Sequence, residues 1–539
     1  MSIPENFAAV SSVGVQKYPR GPKTLQYGTA GFRDKANVLP HVMYRMGVLA
    51  VLRSKFKKGS TVGLVITASH NPEEDNGVKL CDPDGKMLDM EWEALATTLV
   101  NTNDDKLSEC LTKIVMSNNL DFNASSSVFL ARDTRGSSTF LSTAAEDGVK
   151  AVGGNFKDFG LLTTPQLHFV VVCQNYPSYG EPSPEGYYKK LSKAFCSLRR
   201  ENKGRCKKFI PEVYVDGANG VGALKLKELL QHIEKLPITI FNDGTNGVLN
   251  FKCGADFVKT NQKPPESCKL ISRKRYASFD GDADRLVYYY KDNDGSFHLL
   301  DGDKIAALYA TYFKDLIKTT KLQLQMRVIQ TAYANGSSTN FIENELHIPV
   351  ICVPTGVKHL HHEAQKYDIG IYFEANGHGT VVFSEEAKEK IKELSTNSSV
   401  GSTEKGAAVK LLTSIDLINE TVGDAISDML LVEIILQNLD WDAQDWNSLY
   451  TDFPNRLLKV EVPDRQAVTT ISAERKCVTP KGLQDAIDAA VLQYAQSRSF
   501  VRPSGTEDVV RVYAEAQTQE EADKLAKEVA CLVTKFTQT

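Results

Sequence analysis

The densest group of chemically able residues in this sequence is Asp280-Gly281-Asp282-Ala283-Asp284-Arg285, directly after Ala277-Ser278-Phe279. Three carboxylates at alternate positions can converge on one hard cation, because Mg²⁺ takes oxygen ligands and keeps further positions for phosphate or water. A calcium-binding EF-hand does not fit. It needs a glycine and a bidentate glutamate at the positions where this chain has Arg285 and Lys291. A solvated acidic turn is the other reading, although three like charges beside an apolar strand would repel without a cation. Arg285, following the acids, points to an approaching anion.

A second candidate is Thr67-Ala68-Ser69-His70-Asn71-Pro72, which closes the apolar run Val62-Gly63-Leu64-Val65-Ile66. A serine hydroxyl is a weak nucleophile until a base, a metal or its own covalent modification changes its reactivity. A phosphoryl group on Ser69 would complete the coordination begun by Asp280, Asp282 and Asp284, with the metal as Lewis acid and template. His70 and Lys79 lie close in sequence and can neutralise the remaining charge. A strand-ending turn made by Ser and Asn-Pro is the plain alternative, and this motif alone does not separate the two.

Two further loops carry polar groups. Arg502-Pro503-Ser504-Gly505-Thr506-Glu507 offers a guanidinium, two hydroxyls and backbone N–H groups, a cradle for a phosphate dianion. A hairpin turn explains its Pro and Gly equally well. Glu374-Ala375-Asn376-Gly377-His378-Gly379 sets a carboxylate, an amide and an imidazole on one loop, which suits hydrogen bonding to neighbouring sugar hydroxyls. A lone histidine is more often structural than catalytic, and the company of Glu374 and Asn376 favours the functional reading of His378.

Such loops need strands to hold them. Short β-branched runs at 62–66, 128–131, 213–215, 327–333, 350–353 and 369–373 alternate with helical patterns, predicting α/β layers with mainly parallel strands. Ligands gather at the carboxyl ends of strands in open parallel sheets, which is where these motifs lie. The Pro/Ser/Gly stretch Tyr176–Pro182 reads as a connector, giving a first domain 1–182 and a second 183–299. The third, 300–450, is expected to hold a helix N-capped by Ser384 and then a Ser/Gly-rich loop over Ser395–Gly406. From about Thr451, a strand Leu457–Val462, a helix Leu483–Ala495, a strand pair around Val501–Ala514 and a closing helix Glu520–Phe536 predict a smaller α+β domain, 451–539.

Composition narrows the function classes. A chain of 539 residues can bury several cores. Its net charge of -4, from 63 Lys and Arg against 67 Asp and Glu, gives no overall attraction to nucleic acid or anionic membrane, so an anionic substrate must be held locally. No signal segment is read, and no apolar run approaches the roughly 18 residues of a membrane span. Ten scattered cysteines without a C-x-x-C pair predict a reduced, cytoplasmic chain, without a disulfide framework or zinc site.

Taken in the order serine, metal, sugar and phosphate, the four loops resemble the α-D-phosphohexomutase superfamily over nearly the whole chain. That resemblance implies three α/β domains with mixed, mainly parallel sheets and a smaller C-terminal α+β domain around a central cleft. It implies Ser69 as a phosphoserine that joins Asp280, Asp282 and Asp284 on Mg²⁺. Glu374, Asn376 and His378 become sugar contacts, and Arg502, Ser504, Gly505 and Thr506, with Arg511, the grip on the phosphate that is not reacting. Gly28-Thr29-Ala30-Gly31-Phe32-Arg33 is similar to the family's opening segment, whose arginine, here Arg33, lies in the active site. Lys79 matches a proton-transfer lysine, with His70 a further catalytic candidate and Arg285 a substrate contact. Pro354-Thr355-Gly356-Val357-Lys358 resembles a sugar-specificity loop, which adds Gly356 and Lys358.

Two departures narrow the resemblance. Ala131-Arg132-Asp133-Thr134-Arg135 comes after the serine, where most members carry a G-R-D-x-R segment before it, and Asn376 stands where relatives often have serine. Both are similar to the eukaryotic phosphoacetylglucosamine mutase branch. The implied activity is interconversion of N-acetylglucosamine 6-phosphate and 1-phosphate in UDP-N-acetylglucosamine biosynthesis, with Mg²⁺ and a sugar 1,6-bisphosphate as intermediate and activator. The expected partner is a small-molecule sugar phosphate, with no nucleic acid or membrane, and the chain acting as a monomer or weak homodimer.

Overall fold

The computed structural model describes residues 6–28, 31–201, 206–234, 236–504 and 508–538. They pack as two compact units, one running to Asp301 and including Thr413–Ala443, the other made of Gly302–Leu412 with the segment from Gln444 onward.

The first unit holds two five-stranded sheets. Strands β1 (Phe32–Lys35), β2 (Thr61–Ile66), β3 (Asp75–Cys81), β4 (Ser127–Arg132) and β5 (Asn155–Leu161) form the first, in the order β1-β3-β2-β4-β5. β2 pairs in parallel with β4 and antiparallel with β3, so the loop 67–74 turns the chain straight back along its own sheet. Every residue of β2 is buried, as its continuous apolar pattern requires. Helices Pro40–Phe56 and Ser138–Ala151 cross at contact distance because each offers a glycine: a Cβ on Gly47 would lie 2.0 Å from the Ala145 carbonyl oxygen, and one on Gly148 2.0 Å from that of Tyr44.

The second sheet contains β6 (Val213–Asp216), β7 (Ile238–Phe241), β8 (Arg275–Phe279), β9 (Leu286–Lys291) and β10 (Phe297–Leu300), ordered β10-β9-β8-β6-β7. Stacked Tyr214, Tyr276 and Tyr289 line it. The helix Ala425–Leu439 packs in this unit, tied by a buried Arg275–Glu433 pair with Nη2 to Oε2 at 2.7 Å. Asp216 anchors the Asp216-Gly217-Ala218-Asn219-Gly220 loop by accepting from the N–H groups of Ala218 and Gly254 and from Asn242 and Ser278.

In the second unit, β11 (Met326–Thr331), β12 (Val350–Val353), β13 (Ile369–Phe373) and β14 (Gly379–Phe383) run in the order β12-β11-β13-β14, parallel except for the last pair. An antiparallel sheet follows, β15 (Asn455–Glu461), β19 (Val509–Glu515) and β18 (Arg498–Pro503), with the ribbon β16 (Thr469–Ile471) and β17 (Lys476–Thr479) beside it. Helices Leu483–Val491 and Gln519–Thr537 carry Ile487, Leu525 and Val529 into one core with Val501 and Val512. The fold is therefore mixed α/β with a C-terminal α+β part.

Three elements differ from expectation. The strand expected over 327–333 ends at Thr331, where Ala334 N–H turns back to the Thr331 carbonyl. Helix Glu385–Thr396, capped by Ser384 as expected, is followed at Ser402 by another helix, which shortens the loop expected over 395–406. The helix expected to reach Ala495 stops at Val491, because the Ser497 hydroxyl donates to the Val491 and Tyr494 carbonyls.

Candidate active site

In the first unit, Ser69 sits past the end of β2 with φ 48° and is 1 % exposed. Its Oγ accepts from Arg33 Nη2 at 3.0 Å and from Lys79 Nζ at 3.4 Å. Register brings both cations there, since Arg33 on β1 faces Gly77 and Lys79 on β3 faces Val65. Lys79 Nζ also donates to Asp282 Oδ2 and Asp284 Oδ2, each at 3.0 Å. One ammonium thus joins the serine to two of the three aspartates. The loops also touch through backbone, since a Cβ on Gly281 would fall 2.4 Å from the Ser69 carbonyl oxygen.

Asp280, Asp282 and Asp284 are buried, and one oxygen from each lies within 4.8 Å of the others. Ala283, at φ 56°, reverses the chain between them. Asp280 Oδ1 accepts from the N–H groups of Asp284 and Arg285, while its Oδ2 and the Oδ1 of Asp282 have no hydrogen-bond partner among the described residues. An all-oxygen donor set with buried oxygens left over fits a hard divalent cation such as Mg²⁺. Burial, then Asp284 and Asp282, pushes the Asp280 carboxyl well above the usual carboxylate range. For Lys79, burial opposes the charged form, but Asp282 and Asp284 outweigh it and raise its pKa. Arg285 pairs with Asp256 at 3.2 Å and approaches Asp284 at 3.9 Å. His70 donates nothing to Ser69: its Nδ1 has no partner among the described residues, and burial with Arg285 and Arg33 holds the imidazole well below its usual pKa.

The second unit carries the other predicted loops. Glu374, Asn376 and His378 share a tight turn in which Asn376 Nδ2 donates to Glu374 Oε2 at 3.2 Å and His378 N–H donates to Asn376 Oδ1 at 2.9 Å. Gly377, at φ 88°, permits that turn. Gly356, at φ 130°, precedes the helix Val357–Ala364, which places Lys358 in its first turn. Ser504 is buried where β18 ends, and its N–H donates to the Val509 carbonyl at 2.9 Å. Gly505 and Thr506 lie outside the described residues. Arg502 on β18 and Arg511 on β19 stand directly opposite. Like charges in that position repel, and Arg502 is paired with Glu474, whose Oε1 lies 2.8 Å from its Nε.

Family models match four consecutive parts of the chain: phosphoglucomutase/phosphomannomutase alpha/beta/alpha domain I over 41–107 and 100–178, phosphoacetylglucosamine mutase AMG1 domain II over 182–287 and domain III over 301–441, and the phosphoglucomutase/phosphomannomutase C-terminal domain over 457–532. A Mus musculus phosphoacetylglucosamine mutase is 54% identical over 513 residues, covering 94% of each chain. The chain belongs to the phosphoacetylglucosamine mutase family. An Aspergillus fumigatus N-acetylphosphoglucosamine mutase, solved with GlcNAc-6P and magnesium, matches at 46% identity and TM-score 0.94 over 99% of this chain and 100% of its own. A variant of it with glucose 1,6-bisphosphate matches at 45% and 0.91, over 99% and 100%.

Within this mutase framework, several positioning groups escaped the sequence reading. Arg135 Nη2 donates to the Ser69 carbonyl at 3.1 Å and the Asn71 carbonyl at 2.8 Å, while pairing with Asp133. The relocated Ala131–Arg135 segment therefore clamps the serine loop. Asn250 Nδ2 donates to the same two carbonyls, at 2.8 and 3.0 Å. Thr164 Oγ1 donates to Asp282 Oδ2 at 2.6 Å, from a helix start whose Thr163–Gln166 capping box was readable in sequence. Nothing local to Asn250 signals its role, which exists only once distant loops meet.

Proposed function

We propose that this chain interconverts N-acetylglucosamine 6-phosphate and N-acetylglucosamine 1-phosphate through a phosphoserine at position 69. The observation that carries the reading is the convergence on Ser69 Oγ of Arg33 and Lys79, the latter shared with Asp282 and Asp284. A P–O bond forms to the free 1- or 6-hydroxyl as the P–Oγ bond breaks, and the hydroxyl proton ends on Oγ. The resulting 1,6-bisphosphate returns its other phosphoryl group to Ser69, so the net change is isomerisation. Arg33 and Lys79 offset the charge of the transferring group. Asp280, Asp282 and Asp284, with the phosphoserine at 69, would hold Mg²⁺. Bound magnesium supplies Lewis-acid stabilisation of the transferring group.

Glu374, Asn376 and His378, with Gly356 and Lys358, recognise the sugar, while Arg502, Ser504, Gly505, Thr506 and Arg511 grip the phosphate that is not reacting. Arg285 adds a further cation for substrate. The functional division is the fourfold one: phosphoserine 1–182, metal 183–299, sugar 300–450 and distal phosphate 451–539. A reduced, cytoplasmic setting belongs to the same reading, supported by ten free cysteines. No helix of the described residues is long and apolar enough to cross a membrane.

Phosphorus NMR of the protein with Mg²⁺, N-acetylglucosamine 6-phosphate and trace sugar 1,6-bisphosphate tests this. The 1-phosphate resonance is expected to grow with wild-type protein and to stay at background with Ser69→Ala. Stoichiometric release of inorganic phosphate instead would make the chain a phosphatase. Equal turnover by the two proteins would remove Ser69 from the reaction.

A further inference from the structure

The hairpin joining β16 to β17 turns through Ser472, Ala473 and Glu474, at φ 53°, 56° and 67°. Non-glycine residues avoid this left-handed region, and a run of three persists only where its surroundings hold it. Arg475 braces it through its N–H and Nε, which donate to the Ser472 carbonyl at 3.4 and 3.1 Å, and Glu474 ties it to the rest of the unit. Its Oε1 accepts from Arg502 Nε at 2.8 Å, and its Oε2 accepts from the Thr355 N–H at 3.0 Å and from the Thr355 hydroxyl. Glu474 and Arg502 side chains are 17% and 22% exposed, so the pair is partly shielded from water and from salt. A single carboxylate therefore touches both the arginine assigned to the distal phosphate and the loop that leads into Gly356 and Lys358.

The electrostatics give this contact a purpose. Arg502 and Arg511 face each other across β18 and β19. Their like charges repel one another. Glu474 cancels one charge and engages Arg502 at Nε, orienting the planar fork before an anion arrives. Its second oxygen holds the Thr355 loop at the same time.

We propose that Glu474 is a positioning residue for sugar-phosphate binding. It holds Arg502 and the Thr355 loop, which leads into Gly356 and Lys358, in one fixed arrangement. This rests on the reading of Arg502 as a phosphate ligand given above.

Steady-state kinetics on N-acetylglucosamine 6-phosphate and glucose 6-phosphate test it, with melting curves as the folding check. Glu474→Ala is expected to raise KM for the N-acetylated sugar about ten- to a hundredfold, with kcat changed less than about threefold. KM for glucose 6-phosphate, which carries the same phosphate, should rise by a similar factor. Adding Thr355→Val to Glu474→Ala should cost nothing further, since the hydroxyl's partner is already gone. Should Glu474→Ala fail to fold, Glu474→Gln, which keeps the shape and removes the charge, is expected to show the same KM rise. Wild-type KM in the folded variant would overturn the proposal, as would losses of kcat and melting temperature with KM intact. Arg502→Ala separates the two layers: unchanged KM there overturns the phosphate assignment itself, whereas raised KM there with normal Glu474 variants overturns only the role given to Glu474.

Discussion

Asp280 divides its two oxygens between structure and charge. Oδ1 closes the loop by accepting two backbone N–H groups, and Oδ2, buried, has no hydrogen-bond partner among the described residues. A carboxyl whose pKa is raised on folding destabilises the folded state once pH exceeds its unfolded value near ~3.9, and fully so above the folded value. In metal-free protein this penalty therefore appears as pH rises from about 4 and persists at neutral pH. Asp280→Asn keeps the Oδ1 acceptor and removes the charge. Its melting temperature in chelator at pH 7 should exceed that of wild type by about 2–4 °C, the shift roughly 1 kcal/mol produces in a domain of 150–250 residues. The gap should close toward pH 4. Magnesium should stabilise wild type and leave the variant unmoved, as differential scanning fluorimetry would register.

At the level of elements, the turn bearing Glu374, Asn376 and His378 is set by what packs behind it. Gly302 opens the helix Gly302–Thr320, and a Cβ there would lie 1.9 Å from the Glu374 carbonyl oxygen and 3.2 Å from Gly377 N. Neither neighbour is a flexible side-chain end, so the whole turn bearing Glu374, Asn376 and His378 must shift. Overpacking of this kind costs about 1–3 kcal/mol. Gly302→Ala is accordingly expected to raise KM for the sugar phosphate by about tenfold to a hundredfold, with a smaller effect on kcat. An unchanged KM would show that the turn does not contact substrate. Gly302 carries no local signal of this role, because a glycine's packing partner lies far away in the chain.

Across the whole molecule, chain order and packing order differ. The segment Thr413–Ala443 packs with the unit that ends at Asp301. There Tyr187 donates to Asp424, Asp440 accepts from the N–H groups of Lys207, Lys208 and Phe209, and Arg275 pairs with Glu433. Burial opposes the Arg275 charge, but Glu433 outweighs it and raises the guanidinium pKa. Removing one member of such a buried pair strands the other, at a cost of about 3–5 kcal/mol. Glu433→Ala should lower the urea midpoint correspondingly, although Glu433 belongs to a segment that follows the sugar turn in sequence. A midpoint equal to wild type would show that this helix does not support the metal-bearing sheet.

Much of the chemistry was legible in the sequence because it is local. Alternating acids around Ala283, a serine closing a buried strand, and a turn compressing Glu374, Asn376 and His378 depend on residues a few positions apart, where side-chain type and backbone preference suffice. The strand cores followed from their apolar runs for the same reason. Tertiary packing alone decided which groups serve those loops. Lys79 joins Ser69 to the aspartates by strand register, Arg135 and Asn250 reach the same two carbonyls from distant segments, and Glu474 meets Arg502 and Thr355 through a turn that no local propensity favours. Hydrogen bonds between remote segments leave no periodic trace along a chain, since their geometry exists only after the sheets have formed.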